Sequence, residues 1–177
     1  LLDRIGPAIL VTHSKAGPFG WLIADARPKL VRGIVAVEPG GPPFEDTVLR
    51  RGPSRAWGVS DIPMTYDPPA ASPEELKRER DAAAEGPDLA VCMRQAAPAR
   101  RLPNLVGIPI AILTGEASYH AVYDHCTANY LAQAGVANEH IRLERKGIRG
   151  NGHGMPNERN NLEMAALVAG WLKSKGL

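Results

Sequence analysis

Apolar residues gather in short runs along this chain, and the stretches between them read in turn as helices and loops. Ala8-Ile9-Leu10-Val11 has the pattern of a short buried strand, and Pro18 to Ala26, carrying Phe19, Trp21, Leu22 and Ile23, predicts a helix stopped before Pro28. Gly33-Ile34-Val35-Ala36-Val37 is a continuous apolar run of the kind found in a parallel sheet covered on both faces, and it ends in the loop Glu38-Pro39-Gly40-Gly41. Ile108 to Thr114 predicts a third strand ending at Gly115-Glu116, followed by a helix from about His120 to Ala134 closed by Gly135. Ile141 to Arg145 alternates apolar and charged residues, as a strand nearer the sheet edge does. The glycine-rich loop Gly150-Asn151-Gly152-His153-Gly154 then leads to a final helix from about Asn160 to Lys175, with Leu162, Ala165, Ala166, Ala169 and Leu172 on one face.

Between 42 and about 103 this regularity is lost, and prolines recur at 53, 63, 68, 69, 73, 87 and 98. Ser72-Pro73-Glu74-Glu75 supplies a serine cap, a first-turn proline and a glutamate three residues after the cap. It predicts a charged helix through Lys77-Arg78-Glu79-Arg80-Asp81 that stops by Gly86-Pro87 and presents a solvated face. The alternation as a whole predicts an α/β fold in one domain over 1–177, with 42–103 as a Pro-rich cap or lid inserted within it.

Composition narrows the partners. A chain of 177 residues holds one domain with a real core, and no apolar stretch approaches the roughly 18 residues of a membrane span. With 21 Lys+Arg against 19 Asp+Glu and only 5% aromatic residues, there is neither a basic field nor a set of stacking platforms for nucleic acid. A small molecule of neutral or mixed character fits better. Cys92 and Cys126 either pair in an oxidising compartment or stay as buried thiols, since spacing leaves both open. No H-E-x-x-H or matching Cys/His spacing points to a metal, and no cofactor is called for.

In open parallel sheets functional groups collect at the carboxyl ends of the strands, and those positions here hold Ser14, Glu38, Glu116 and the His153 loop. Ser14 lies in Thr12-His13-Ser14-Lys15-Ala16-Gly17, between a strand and a helix, so it reads as a nucleophile on a sharp turn or as a cap for the following helix. Such a turn demands small neighbours, a need Ala16 meets well and Thr12 less well. A serine hydroxyl becomes a good nucleophile when an imidazole takes its proton and a carboxylate orients that imidazole. All three types occur in the order Ser, acid, His. Glu38, directly at a strand end, is the leading acid, with Glu116 and Asp124 as alternatives alongside no acid at all. His13 reads as a shaper of the turn, and His120, His125 and His140 as ordinary surface or loop residues.

These motifs resemble the α/β-hydrolase superfamily, and within it bacterial and fungal esterases whose elbow reads His-Ser-x-x-Gly and whose acid follows the next strand. The likeness rests on His13-Ser14 with Gly17, on Val35-Ala36-Val37-Glu38-Pro39-Gly40, and on Gly150 to Met155 with Asn160-Asn161-Leu162-Glu163. It implies the C-terminal portion of an α/β-hydrolase fold, a parallel sheet flanked by helices with its N-terminal strands missing. It further implies Ser14 as nucleophile, Glu38 as acid, His153 as base and the Lys15 backbone N–H as an oxyanion-hole donor, with a second donor upstream of Leu1. Most of the superfamily set the acid three residues beyond a glycine after a later strand, which here is Ser118, a residue unable to do that work. Glu116, one residue past Gly115, remains the alternative acid. The activity so implied is serine-type hydrolysis of a small carboxylic ester. Two other classes stand beside it: a non-catalytic binding domain of the same fold, and an inactive fragment. The second arises because the chain opens on Leu1-Leu2-Asp3, without methionine, in what reads as a helix leading to the first strand. A fragment would leave the strand before Ser14 as an unpaired edge prone to aggregation, and any signal peptide would precede Leu1, leaving the compartment open.

Overall fold

The two runs at Val31–Val37 and Ile110–Thr114 pair as parallel strands because they are rich in β-branched and small residues covered on both sides. The run at Ala8–Val11, expected as a buried strand, instead stands at the end of the sheet with Val11 66% exposed, since only one of its neighbouring positions is filled by a strand among the described residues. The computed structural model describes residues 1–48 and 51–177, so positions 49 and 50 of the expected insertion lie outside the described residues. In chain order the elements are α1 (Leu2–Ile5), β1 (Ala8–His13), α2 (Gly17–Ala26), β2 (Val31–Val37), β3 (Glu45–Asp46), β4 (Gly52–Pro53), β5 (Arg78–Arg80), β6 (Met93–Gln95), β7 (Ile110–Thr114), α3 (Asp124–Gln133), β8 (Glu139–Arg142) and α4 (Asn161–Ser174). The main sheet has the order β1-β2-β7-β8, and every pairing in it is parallel. All four carboxyl ends therefore point the same way, and the residues that follow them share one edge.

Period-two geometry explains how a continuous apolar run serves two cores. Ile34 and Ala36 of β2, with Ile110 and Ile112 of β7, face a cluster that contains Trp21 and Ala24 of α2 and Tyr130 and Leu131 of α3. Val35 and Val37, with Ala111 and Leu113, face the opposite cluster, which Met155 and the α4 residues Met164 and Trp171 complete. The irregular segment joins the first of these cores through Phe44, Trp57, Val59, Met64, Tyr66, Leu76 and Leu102. It is thus packed onto the sheet's helical layer by many apolar anchors.

The charged helix expected after Ser72 does not form. A 3₁₀ turn covers Pro73–Glu75, without a side-chain cap bond from Ser72, and the chain then extends as β5, paired antiparallel with β6. The physical reason is the lack of an apolar stripe: Leu76 is buried, but Arg78, Glu79 and Arg80 are all exposed, so a helix would have nothing to bury. The hairpin satisfies the backbone instead, and Arg94 bonds Glu79 at 3.0 Å and Asp81 at 2.9 Å. Two boundaries also differ from the sequence pattern. The last strand ends at Arg142, with Leu143–Lys146 forming a 3₁₀ turn, and the third helix is divided into a 3₁₀ turn at Tyr119–Val122 and α3. Cys92 and Cys126 are joined in a disulfide that fastens the segment before β6 to α3.

Two buried phenols knit the irregular segment to α3. Tyr66 donates its hydroxyl hydrogen to Trp57 O at 2.9 Å, and the Tyr130 hydroxyl lies 2.7 Å from Tyr66 Oη and donates to it. Burial pushes the Tyr66 phenol up to about 12 from 10.0 and raises Tyr130 as well, because a phenolate loses its water shell there. Unfolded tyrosine ionises first, so the stability this pair provides is fully present below pH 10 and is lost as pH rises towards 12. Urea unfolding between pH 10 and 12 is expected to show stability falling by about 1.4 kcal/mol per pH unit for each phenol. The fall will be shallower in the Tyr66→Phe protein.

Candidate active site

Ser14 stands at the end of β1, where the strand turns into a 3₁₀ turn, Ser14–Ala16, that runs directly into α2. Its φ is 57°, a left-handed conformation that costs a non-glycine residue roughly 1–3 kcal/mol and persists only where the surroundings enforce it. The enforcement is visible. Gly40 N–H donates to Ser14 O at 2.8 Å, tying the turn to the loop after β2. A Cβ placed on Gly17 would run into Cα and Cβ of Pro39 in that same loop, and one on Gly20 would lie 3.3 Å from Thr12 Cγ2. The small residues the turn requires are therefore Gly17 and Gly20 on α2, more than the Ala16 singled out by sequence spacing.

Glu38, the residue after β2, has a φ of 44° and is fully buried. A buried carboxylate needs hydrogen bonds to each oxygen, and here all come from the chain. Gly115 N–H donates to Oε1 at 2.9 Å, Ser118 Oγ–H donates to Oε2 at 2.7 Å, and His153 Nδ1 lies 2.6 Å from Oε2. Ser118, which cannot act as an acid, thus serves as a donor to the Glu38 carboxylate. Glu116 points elsewhere, accepting from Arg149 Nη1 at 2.9 Å and from Gly150 N–H at 3.2 Å on the exposed side of the loop.

His153 completes the line: its Nε2 is 2.8 Å from Ser14 Oγ. With Nδ1–H given to the carboxylate, Nε2 presents its lone pair to the serine hydroxyl, an arrangement able to take a proton from that hydroxyl. The loop bearing His153 is fixed on three sides. His13 Nε2–H donates to His153 O at 2.8 Å. Glu158 accepts from Gly152 N–H at 2.9 Å and from Asn151 Nδ2 at 2.7 Å, while Asn151 and Asn160 exchange amide bonds at 2.7 and 2.9 Å. Ala117 N–H donates to Asn151 O at 2.9 Å, an approach that a side chain on Gly115 would block.

Of the histidines expected as surface or loop residues, His120 and His125 are buried and His140 is half-buried. His120 is buried, stacks on His153 and bonds Asp124 Oδ1 through Nδ1 at 2.7 Å, so Asp124, an alternative acid by sequence, faces His120 instead of His153. His125 is buried against the disulfide, 3.2 Å from Cys92 Sγ, and His140 Nε2 lies 2.9 Å from Thr114 Oγ1. Burial lowers His120 and His140 to about 4, keeping both neutral near pH 7. Sequence spacing missed these because helical and strand periodicity does not say which polar side chains turn inward. Among the described residues, two groups of metal-type donors occur, Glu38-His120-His153 and Cys92-His125-Cys126. In each, donors are already bonded to one another.

Ser14, Lys15, Gly40, Gly41, Arg55 and Tyr119 are among the residues lining a recess of about 120 Å³ beside Ser14. Asp46, Val48 and Arg55 bring the irregular segment to its wall. A larger hollow of about 390 Å³ between Arg94 and Asn129 lacks a nucleophile with a base beside it.

The fold is that of a parallel α/β sheet with Ser14, Glu38 and the His153 loop at one edge, and it is shared with a solved structure described as the atomic resolution structure of a novel bacterial esterase. That likeness has a TM-score of 0.55 at 20% identity and covers 98% of this chain and 40% of that one. Among curated proteins, the chain is 46% identical over 175 residues to a probable secreted lipase phiG from Fungal sp. (strain ATCC 74256). The match covers 99% of this chain and 48% of the relative, so the chain spans about half of that protein's length. No protein-family model matches the chain.

The close contact at Gly17 yields a direct test of the turn. Gly17→Ala is expected to destabilise the protein by about 1–3 kcal/mol through overpacking against Pro39. Gly154→Ala, where an added Cβ meets nothing within 4 Å, is expected to cost less. Paired urea unfolding curves measure both.

Proposed function

We propose that this chain carries the site of a serine hydrolase that cleaves small carboxylic esters through an acyl-enzyme. The observation that carries this reading is the unbroken line of hydrogen bonds from Ser14 Oγ through His153 to the buried carboxylate of Glu38. His153 Nε2 takes the Ser14 proton as Oγ bonds to the ester carbonyl carbon, and the resulting imidazolium is held by the Glu38 carboxylate. Collapse of the tetrahedral intermediate breaks the carbon–oxygen bond to the alcohol, which leaves with the proton from His153. Water then attacks the acyl-enzyme, gives its proton to His153, and the acid departs as the proton returns to Ser14.

The Lys15 N–H is the proposed oxyanion donor. It lies in the first turn after β1, where N–H groups have no partner within the turn and carry the positive end of the helix dipole. The segment 42–103 is the proposed cover: its Asp46, Val48 and Arg55 reach the recess, and the small volume there suits a short acyl group. Resemblance to proteins named as a lipase and an esterase supports the same chemistry.

A fluorophosphonate probe is expected to label the protein at Ser14, and Ser14→Ala to abolish both labelling and p-nitrophenyl acetate hydrolysis. Glu38→Gln is expected to lower turnover by about 10²–10⁴, whereas Glu116→Ala leaves it within about twofold. Full labelling of Ser14→Ala, or equal losses from Glu38→Gln and Glu116→Ala, overturns the assignment.

A further inference from the structure

We propose that His120, clamped by Asp124, is a positioning residue whose ring is the fixed wall that holds the plane of the His153 imidazole. This rests on the hydrolase reading above, since it assigns His153 a proton to carry. Three rings lie with centroids 4.8 Å from that of His153: His13, Tyr119 and His120. The first two are tilted by 33° and 44°, whereas His120 is parallel to within 1°. Of these three rings, His120 alone lies parallel to the imidazole, in the offset stack that ring contacts favour.

The wall is anchored in the sheet, not in the loop that bears His153. His120 Nδ1 meets Asp124 Oδ1 at 2.7 Å, Thr114 Oγ1–H donates to Asp124 Oδ2 at 2.7 Å, and His140 Nε2 lies 2.9 Å from Thr114 Oγ1. Thr114 has one hydroxyl hydrogen and gives it to Asp124, so His140 Nε2–H is the donor to Thr114. The chain of contacts joins the 3₁₀ turn before α3, the first residue of α3, the end of β7 and β8. Asp124 is fully buried and His120 is 2% exposed, so neither trades these bonds for water. Burial also keeps His120 neutral near pH 7, which spares the imidazolium formed on His153 a cation against its face.

The need for such a wall follows from the base's task. Nε2 must serve first the serine oxygen and then the leaving oxygen, two positions close together, and misplacement by about 1 Å can cost about 10²-fold in rate. The His153 side chain is 26% exposed, and the hydrogen bonds that hold its loop act on the backbone, so the orientation of the ring is left to its side-chain contacts.

The test compares His120→Ala, His120→Phe and Asp124→Asn in the otherwise unaltered protein. His120→Ala is expected to lower kcat about 10- to 100-fold with KM within about twofold, and His120→Phe, which keeps a flat face, to recover most of the loss. Asp124→Asn is expected to fall between them. The far-downfield proton resonance of the His153 Nδ1–H facing Glu38 reports ring order without catalysis: it is expected to be sharp in the wild type, broadened in His120→Ala and restored in His120→Phe. If His120→Ala does not fold, His120→Leu against His120→Phe makes the same comparison at similar volume. Phe performing no better than Ala or Leu, a loss carried by KM, or an unchanged downfield signal in the variant lacking a ring overturns the proposal. A wild type that neither labels nor hydrolyses ester, yet shows the expected resonance pattern, overturns the hydrolase reading and leaves the stack standing.

Discussion

The arrangement depends on one buried carboxylate. Glu38 is removed from water at the end of β2, and an ionised group in that position is tolerable only when its oxygens are fully bonded. Its donors come from the loop after β7 and from the loop before α4, so Glu38 fastens two loops that are distant in sequence to the central strand. Removing the carboxylate would strand Gly115 N–H, Ser118 Oγ–H and His153 Nδ1–H together. The same contacts fix the tautomer of His153 and hence the lone pair that faces Ser14.

Around this carboxylate the molecule separates rigid from strained parts. The sheet is covered on both faces by alternate side chains of β2 and β7, which gives the carboxyl edge a fixed platform. Ser14 and Glu38, the residues immediately beyond that platform, both adopt left-handed backbone. Strain of this kind survives where packing over-determines the conformation, and the contact between Gly17 and Pro39 together with the Gly40–Ser14 bond supplies that packing. The site is thus built by two adjacent turns that lock each other.

Much of this was legible in the chain, for reasons particular residues make plain. The parallel strands announced themselves because β2 and β7 are unbroken apolar runs, and the carboxyl-end rule then directed attention to Ser14, Glu38 and the His153 loop. The charged stretch after Ser72 misled because a good helix start was followed by no apolar stripe, and cross-strand pairing with β6 satisfied its backbone instead. Ser118 was set aside as a failed acid, although a hydroxyl able only to donate is what Glu38 requires. His120 and His140 looked like surface residues because a polar side chain turned inward leaves no periodic trace.

Sequence by itself determined the order of the main-sheet strands and of the helices between them, the two-faced character of the central strands, and that Ser14 and Glu38 stand at strand ends, since each follows from local patterns of size and polarity. Only the tertiary structure decided which carboxylate meets His153, that Cys92 and Cys126 are bridged, and that His120 and Asp124 form a buried wall behind the imidazole. The first two of those outcomes depend on contacts between residues 115 and 34 positions apart along the chain, set by how loops fold over a common sheet edge, and no local pattern encodes such contacts.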